Sequence, residues 1–92
     1  MKDFIDEKFL ETIGADIIIT DNNVEADIER TYVGYLDSSR NIPVIDIENS
    51  NVWRIKLIER IGDFTRILWP NGSRSFEFNI KDVKTYNYRY KI

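Results

Sequence analysis

Apolar and charged side chains alternate with a period of two through much of this 92-residue chain. The clearest case is residues 53–57, where Trp53, Ile55 and Leu57 are separated by Arg54 and Lys56. Successive side chains of a β-strand point to opposite faces of a sheet. The pattern therefore predicts strands with one face in the core and one face polar.

A second alternating segment lies earlier in the chain. Ala26, Ile28, Tyr32 and Leu36 occupy one side of the pattern, and polar residues occupy the other. Arg30 is the one misfit, since it is a charged residue at an apolar position. This segment is predicted to be a half-buried strand.

Turn signals divide the chain into short strands. Asn71-Gly72 is the strongest of them, because both residues tolerate the positive φ that tight hairpins require. Residues 74–78 are expected to pair back from this turn. Gly62-Asp63 predicts another tight turn, and Asp21-Asn22-Asn23 predicts a third.

Three further segments complete the predicted sheet. Residues 44–48 alternate after Pro43 and predict a short strand at an edge. Residues 80–83 predict one turn of 3₁₀ helix, and residues 86–92 predict a last strand. The region 16–92 is thus expected to be β-rich, with about six strands.

The beginning of the chain has a different period. Ile5, Phe9 and Ile13 recur at a spacing of four, which places them on one side of a helix. Gly14 is a natural stop. A helix is predicted over residues 4–13.

The predicted fold is a single α+β domain over residues 1–92, mainly β. The N-terminal helix is followed by a strongly bent antiparallel sheet or a small barrel, because closure hides the edge strands. A long hairpin, one helical turn and a last strand form an order similar to that of SH3-like and Sm-like barrels. This resemblance is one of element order, and it implies an architecture without implying a function.

Composition excludes several classes of function. The chain has no histidine and no cysteine, which removes the commonest general base, the commonest zinc ligand and all thiolate chemistry. Asp21–Asp27 is rich in oxygen-bearing side chains, but a loop that begins there lacks the glycine at the sixth position and the glutamate at the twelfth position of a calcium-binding EF-hand. We expect no enzymatic activity, no cofactor and no metal site.

No apolar run is longer than three residues, the length of Ile17–Ile19, which is far below the roughly 20 residues of a membrane span. The N-terminus also lacks the apolar region of a signal peptide. The expected location is therefore the cytoplasm of a bacterium or of an infected host cell, with no membrane partner.

The two halves of the chain carry opposite charge. Residues 1–50 contain four basic and twelve acidic residues, a balance of −8, and residues 51–92 contain nine basic and four acidic residues, a balance of +5. The whole chain has a net charge of −3. Asymmetry of this kind points to a partner.

The acidic half supplies the leading candidate site. Glu25, Asp27 and Glu29 recur at a spacing of two, which places them on one face of one predicted strand. Tyr35 has the same parity and would add an aromatic anchor. The full set predicted to bind a partner is Glu25, Asp27, Glu29, Tyr35, Asp37, Asp46 and Glu48.

The basic half supplies the alternative. Small barrels bind nucleic acid with a positive stripe and stacking aromatic residues. The residues predicted for this role are Arg54, Lys56, Arg66, Arg74, Arg89 and Lys91. This hypothesis ranks second, because the net charge is negative and the aromatic residues of the last strand are expected in the core.

The leading hypothesis is a small non-enzymatic protein that binds a larger protein with a basic surface. Inhibition of a nucleic-acid-handling protein would follow if that surface normally holds nucleic acid. The composition is similar to that of phage or bacterial accessory proteins, such as anti-CRISPR and immunity proteins. The charge split also allows self-association between the acidic half of one copy and the basic half of another.

Overall fold

The computed structural model describes residues 12–92, which form one antiparallel sheet of six strands. The strands are β1 (Ile17–Asn23), β2 (Ile28–Leu36), β3 (Asn51–Ile61), β4 (Phe64–Pro70), β5 (Phe78–Asn79) and β6 (Tyr88–Arg89). The helices are α1 (Val44–Ile47) and a 3₁₀ helix, η1 (Ile80–Asp82). A helix was predicted over residues 4–13. All but the last two of these positions lie outside the described residues.

The prediction of a mainly β fold with about six antiparallel strands is confirmed, but the sheet is open, so the small barrel, one of the two predicted forms, is wrong. The strand order of the sheet is β1-β2-β3-β4-β6, with β5 paired to the beginning of β3. Within residues 12–92, β1 pairs only with β2 and forms one edge of the sheet. β6 pairs with β4 through Arg89 and Tyr88 alone, so it is too short to bridge the sheet to β1.

One face of the sheet, here called the core face, carries the hydrophobic core. The buried cluster includes Tyr32, Trp53, Ile55, Leu57, Leu68, Phe78, Ile80 and Val83. The alternation in β3 is confirmed, because Trp53, Ile55 and Leu57 all belong to this cluster. Burial of each such side chain contributes about 1.5–3 kcal/mol.

The other face, here called the second face, carries the residues that alternate with these. It includes Thr31, Val33, Tyr35, Arg54, Lys56, Ile58 and Trp69. The pairs Thr31–Ile58, Val33–Lys56 and Tyr35–Arg54 lie side by side across β2 and β3. The second face therefore carries both charged and apolar side chains, because the charged residues of β3 alternate with its core residues.

Residues 44–48 do not form the predicted strand. Val44–Ile47 is α1, a single helical turn that follows Pro43. The indole Nε1 of Trp53 donates a hydrogen bond of 2.9 Å to the carbonyl of Ile47. This tertiary contact fixes the turn and overrides the strand preference of valine and isoleucine.

The predicted turn at Asp21-Asn22-Asn23 is also wrong, because β1 continues to Asn23. The chain turns at residues 24–27 instead. The side-chain oxygen of Asn23 accepts a hydrogen bond from the amide of Ala26 at 3.2 Å, and Asp27 has a φ of 52°. Asparagine and aspartate are the residues that support such turns.

The Asn71-Gly72 turn is confirmed, and the strand predicted to return from it is wrong. The amide of Gly72 donates to the carbonyl of Trp69 at 3.0 Å, and both turn residues have positive φ. The end of β4 pairs with β6, while β5 crosses to β3. The predicted 3₁₀ turn is confirmed as η1, and the last strand is two residues long.

Candidate functional site

The helical turn α1 presents two large aliphatic side chains to solvent. Val44 and Ile45 are 86% and 88% exposed. Single exposed aliphatic residues are common, whereas here two consecutive ones lie on one fixed turn. We define the α1 surface as Val44, Ile45, Asp46 and Glu48.

The α1 surface is fastened to the body of the protein. Ile47 packs against the core cluster, and its carbonyl accepts the hydrogen bond from Trp53. The amide of Asp46 donates to the carbonyl of Pro43 at 2.9 Å. The hydroxyl of Ser50 donates to the carbonyl of Asp46 at 2.8 Å. The exposed side chains are thus held on a fixed backbone, which lowers the entropic cost of binding.

A groove of about 520 Å³ runs from α1 towards β1 and η1. Its lining consists of Ile17, Ile19, Ile45, Glu48, Asn49, Ile80, Lys81, Val83, Lys84 and Thr85. Ile45 and Glu48 therefore belong to both the α1 surface and the groove. Concave apolar surfaces with a few charged residues are typical of binding sites.

Three of the predicted acidic residues lie in the connection between β2 and β3. Asp37 begins this connection, Asp46 lies in α1, and Glu48 follows α1. The hydroxyl and the amide of Ser39 both donate to the carboxylate of Asp37, at 2.6 and 3.1 Å, and hold its pKa below the ordinary value. Asp37 is therefore ionised across the physiological pH range.

The other three predicted carboxylates do not form a row on one strand face. Glu25 and Asp27 lie in the turn at residues 24–27, and only Glu29 lies on β2. Asp27 and Glu29 both lie near the guanidinium of Arg60, at 3.5 and 3.6 Å. The prediction that the three carboxylates share one face of a strand is wrong, because β2 begins at Ile28, two residues later than the pattern predicts.

Tyr35 is separated from these carboxylates and is surrounded by cations. It lies near the other end of β2 from Glu29, on the second face. The guanidinium of Arg54 is 5.7 Å from the centre of its ring, and the ammonium of Lys56 is 5.6 Å from it. These are cation–π contacts, so Tyr35 is not an anchor among acidic residues.

The predicted basic residues do not form one stripe. Arg54 and Lys56 lie on the second face, whereas Arg66 lies on the core face beside Glu59. Arg89 is paired with Trp69 across β4 and β6. Arg74, Arg89 and Lys91 are exposed. The prediction of one basic stripe is wrong because the strands of the second half pair differently from the predicted hairpins: β5 pairs with β3, and β6 pairs with β4.

A buried carboxylate that the sequence reasoning missed lies on the core face. Glu59 is 5% exposed and accepts hydrogen bonds of 2.8 Å from Arg30 and of 2.8 Å from Arg66. Burial alone would raise the pKa of Glu59, but the two guanidinium groups outweigh burial and lower it. The signal was present in the sequence, since Glu59 and Arg30 both interrupt apolar positions.

No group of three or more acidic, histidine or cysteine residues within 12–92 is arranged to hold a metal ion. Over the same residues, neither helix has the length and apolarity needed to cross a bilayer. Comparison with family models, with curated proteins and with solved structures finds no match for this chain.

Proposed function

We propose that this chain is a non-enzymatic binding protein that acts by stoichiometric contact with a protein partner through the α1 surface. The observation that carries the proposal is the exposure of Val44 and Ile45 on a turn that is fastened to the core. Burying such a side chain in a partner contributes about 1.5–3 kcal/mol. Because the backbone of the turn is already fixed, little conformational entropy is lost when the two side chains bind a partner.

The charge around the anchors indicates the chemistry of the partner. Residues 37–50 carry three carboxylates, Asp37, Asp46 and Glu48, and one cation, Arg40. An apolar pocket with a basic rim complements this arrangement, and such charge speeds association and fixes register. A nucleic-acid-handling protein offers basic surface of this kind. The chain would then inhibit that protein, as phage anti-defence and immunity proteins inhibit their targets.

The double variant V44S/I45S tests the proposal. We expect it to weaken partner binding at least about tenfold, because it removes both apolar anchors. The measurement is quantitative capture of binding proteins from the native cell on the immobilised chain, followed by titration of the captured protein. The variant should unfold at nearly the same temperature as the wild type, since neither side chain is buried.

The matched control is Val24→Ser. Val24 is 89% exposed in the turn between β1 and β2, away from α1 in the chain. Its replacement should leave the affinity unchanged. Equal affinity of the wild type and V44S/I45S would contradict the proposal, and so would an equal loss in Val24→Ser.

Nucleic-acid binding is the second candidate function, and it rests on the contacts of one arginine with two aromatic rings. The guanidinium of Arg54 is 5.7 Å from the ring of Tyr35 and 5.3 Å from the ring of Trp69. Cations beside aromatic rings are elements of a single-strand platform, but Trp69 is only 8% exposed and offers no open ring face to a base, which keeps this candidate second. Fluorescence anisotropy with labelled oligonucleotides at low salt distinguishes the two candidates, because phosphate binding falls steeply as salt rises.

A further inference from the structure

The first strand of the described sheet has an open edge. β1 (Ile17–Asn23) pairs with β2 over its whole length, and the register runs without a shift. In an antiparallel pair, every second backbone N–H and C=O of an edge strand points away from the paired strand. No other strand within residues 12–92 pairs with those groups of β1. Such an edge is a template for a further strand.

β1 lacks the features that usually protect an open edge. It contains no proline and no lysine, and its one charged residue is Asp21. Its register with β2 has no bulge. Three consecutive isoleucines, Ile17–Ile19, form its first half. The strand is therefore suited to pair with an extended segment of another protein.

The groove lies beside this edge on the core face. Ile17 and Ile19 line it from β1, and Ile80 and Val83 line it from η1 and the residue that follows η1. Ile80 and Val83 belong to the core cluster, which places the groove on the core face. A strand added to β1 directs every second side chain to that face. Apolar side chains at alternate positions would then pack against Ile17 and Ile19.

One end of the groove is acidic. The carboxylate of Asp16, directly before β1, accepts a hydrogen bond of 2.9 Å from the amide of Leu36. Leu36 pairs with Trp53, whose indole donates to the carbonyl of Ile47 in α1. These contacts place α1 near the beginning of β1. Glu48 follows α1 and adds a negative charge to this end of the groove.

The side of the groove formed by η1 and the residues after it is basic. Lys81 and Lys84 both line the groove and are exposed. The ammonium of Lys84 is 3.6 Å from the carboxylate of Asp21, which lies in the second half of β1. The groove thus runs along β1 from the carboxylate of Glu48 towards the ammonium of Lys84. Complementary charges on an occupant would fix its direction and register.

We propose that the protein partner adds an extended segment to the edge of β1 as a further antiparallel strand. Antiparallel pairing is the more stable form, and every described pair in this sheet is antiparallel. The segment has apolar side chains at alternate positions for the groove. Because it runs against β1, it has a carboxylate near its N-terminal end for Lys84 and a cation near its C-terminal end for Glu48. The inference rests on the proposed function in one respect, that the segment belongs to the partner held by the α1 surface.

The peptide ETVTVTK tests the proposal on the full chain. It has the seven-residue length of β1, and it places both valines and both charges on one face of a strand. At a peptide concentration about ten times its Kd, every second amide of β1 should exchange with solvent about tenfold more slowly, because these amides gain hydrogen bonds. The intervening amides, which face β2, should change little. Hydrogen exchange detected by NMR measures both sets.

Two matched comparisons isolate the contribution of the groove. The peptide EVTVTTK has the same composition but turns its valines to the opposite face, and it should bind at least about fivefold more weakly. The variant Glu48→Lys should weaken the binding of ETVTVTK at least about threefold. Asp63→Lys is an equal change of charge in the turn between β3 and β4, outside the groove lining, and should leave the affinity unchanged.

Several outcomes would overturn the proposal. Equal affinity of the two peptides would show that the groove does not select the valines, and binding without slower exchange in β1 would show that no strand is added. Slow exchange of alternate amides in the free chain at low concentration would show that the edge is already paired. Slowing that grows with the concentration of the chain alone would assign the edge to a second copy. The assay contains no partner protein, so its failure is distinguishable from a failure of the proposed function, which V44S/I45S tests.

Discussion

Replacing Glu59 by glutamine is expected to lower the free energy of unfolding by about 2 kcal/mol at pH 7. Glu59 is buried between Arg30 and Arg66 and is within 2.8 Å of a nitrogen of each. Glutamine keeps the shape but removes the charge that both guanidinium groups require. The arginines are about one-third exposed, so water compensates part of the loss and keeps it below that of a fully buried pair. Urea unfolding at pH 7 measures the change.

The effect of Glu59 should depend on pH in a defined direction. Its pKa is lower in the folded chain than in the unfolded chain, so the unfolded state binds a proton first as the pH falls. The stabilisation is complete above the unfolded pKa of about 4.3 and disappears as the pH falls through the folded pKa. The difference between the wild type and Glu59→Gln should therefore narrow below about pH 4.

Exposed Glu25 provides the matched control. Its replacement by glutamine should change the free energy of unfolding by less than about 0.5 kcal/mol. A stability difference for Glu59→Gln that stays constant from pH 7 to pH 3 would contradict the account, because it would show that the charge of Glu59 contributes nothing.

Replacing Gly34 by alanine is expected to destabilise the fold by about 2 kcal/mol. An added Cβ would lie 2.8 Å from Cγ2 of Ile17, 2.8 Å from Cδ1 of Ile80 and 3.1 Å from the ring of Trp53. Glycine to alanine in a relaxed strand would instead stabilise the protein by restricting the unfolded chain. The sign of the change thus reports how tightly η1 packs on β2. Thermal and urea unfolding measure it.

A second substitution tests whether the contact with Ile80 causes the destabilisation expected for Gly34→Ala. Ile80→Val removes Cδ1, one of the two atoms that would lie closest to the added Cβ of residue 34. This substitution alone should lower the free energy of unfolding by about 0.5–1.5 kcal/mol. In the double variant Gly34→Ala/Ile80→Val the total loss should be smaller than the sum of the single losses, because the cavity of one accommodates the methyl group of the other. Strict additivity would show that the two residues do not meet in the core.

The sequence predicted the parts of the fold that depend on local chemistry. The alternation in β3 and the turns at Gly62-Asp63 and Asn71-Gly72 are confirmed, because side-chain parity and positive φ are decided by neighbouring residues. Local chemistry does not determine whether the sheet closes into a barrel, so the open sheet was not predicted. Closure depends on how far β6 extends, and only two of its seven predicted residues pair with β4.

Tertiary contacts explain why the candidate site was only partly predicted. Asp46 and Glu48 were among the predicted residues and do lie at the α1 surface. Val44 and Ile45 were missed because their pattern fits a strand, and the Trp53–Ile47 hydrogen bond that makes the turn cannot be read from that pattern. Gly34 was missed for the same reason, since its neighbours come from distant segments.

Amide hydrogen exchange of the purified complex tests the partner site most directly. With the captured partner bound, the account predicts slower exchange at residues 43–50 and at the groove residues of β1 and η1. Residues 24–29 and Gly62-Asp63, at the opposite end of the β2–β3 pair, should exchange at the rate of the free protein. Protection at residues 24–29 with none at 43–50 would contradict the account, because it would assign binding to Glu25, Asp27 and Glu29.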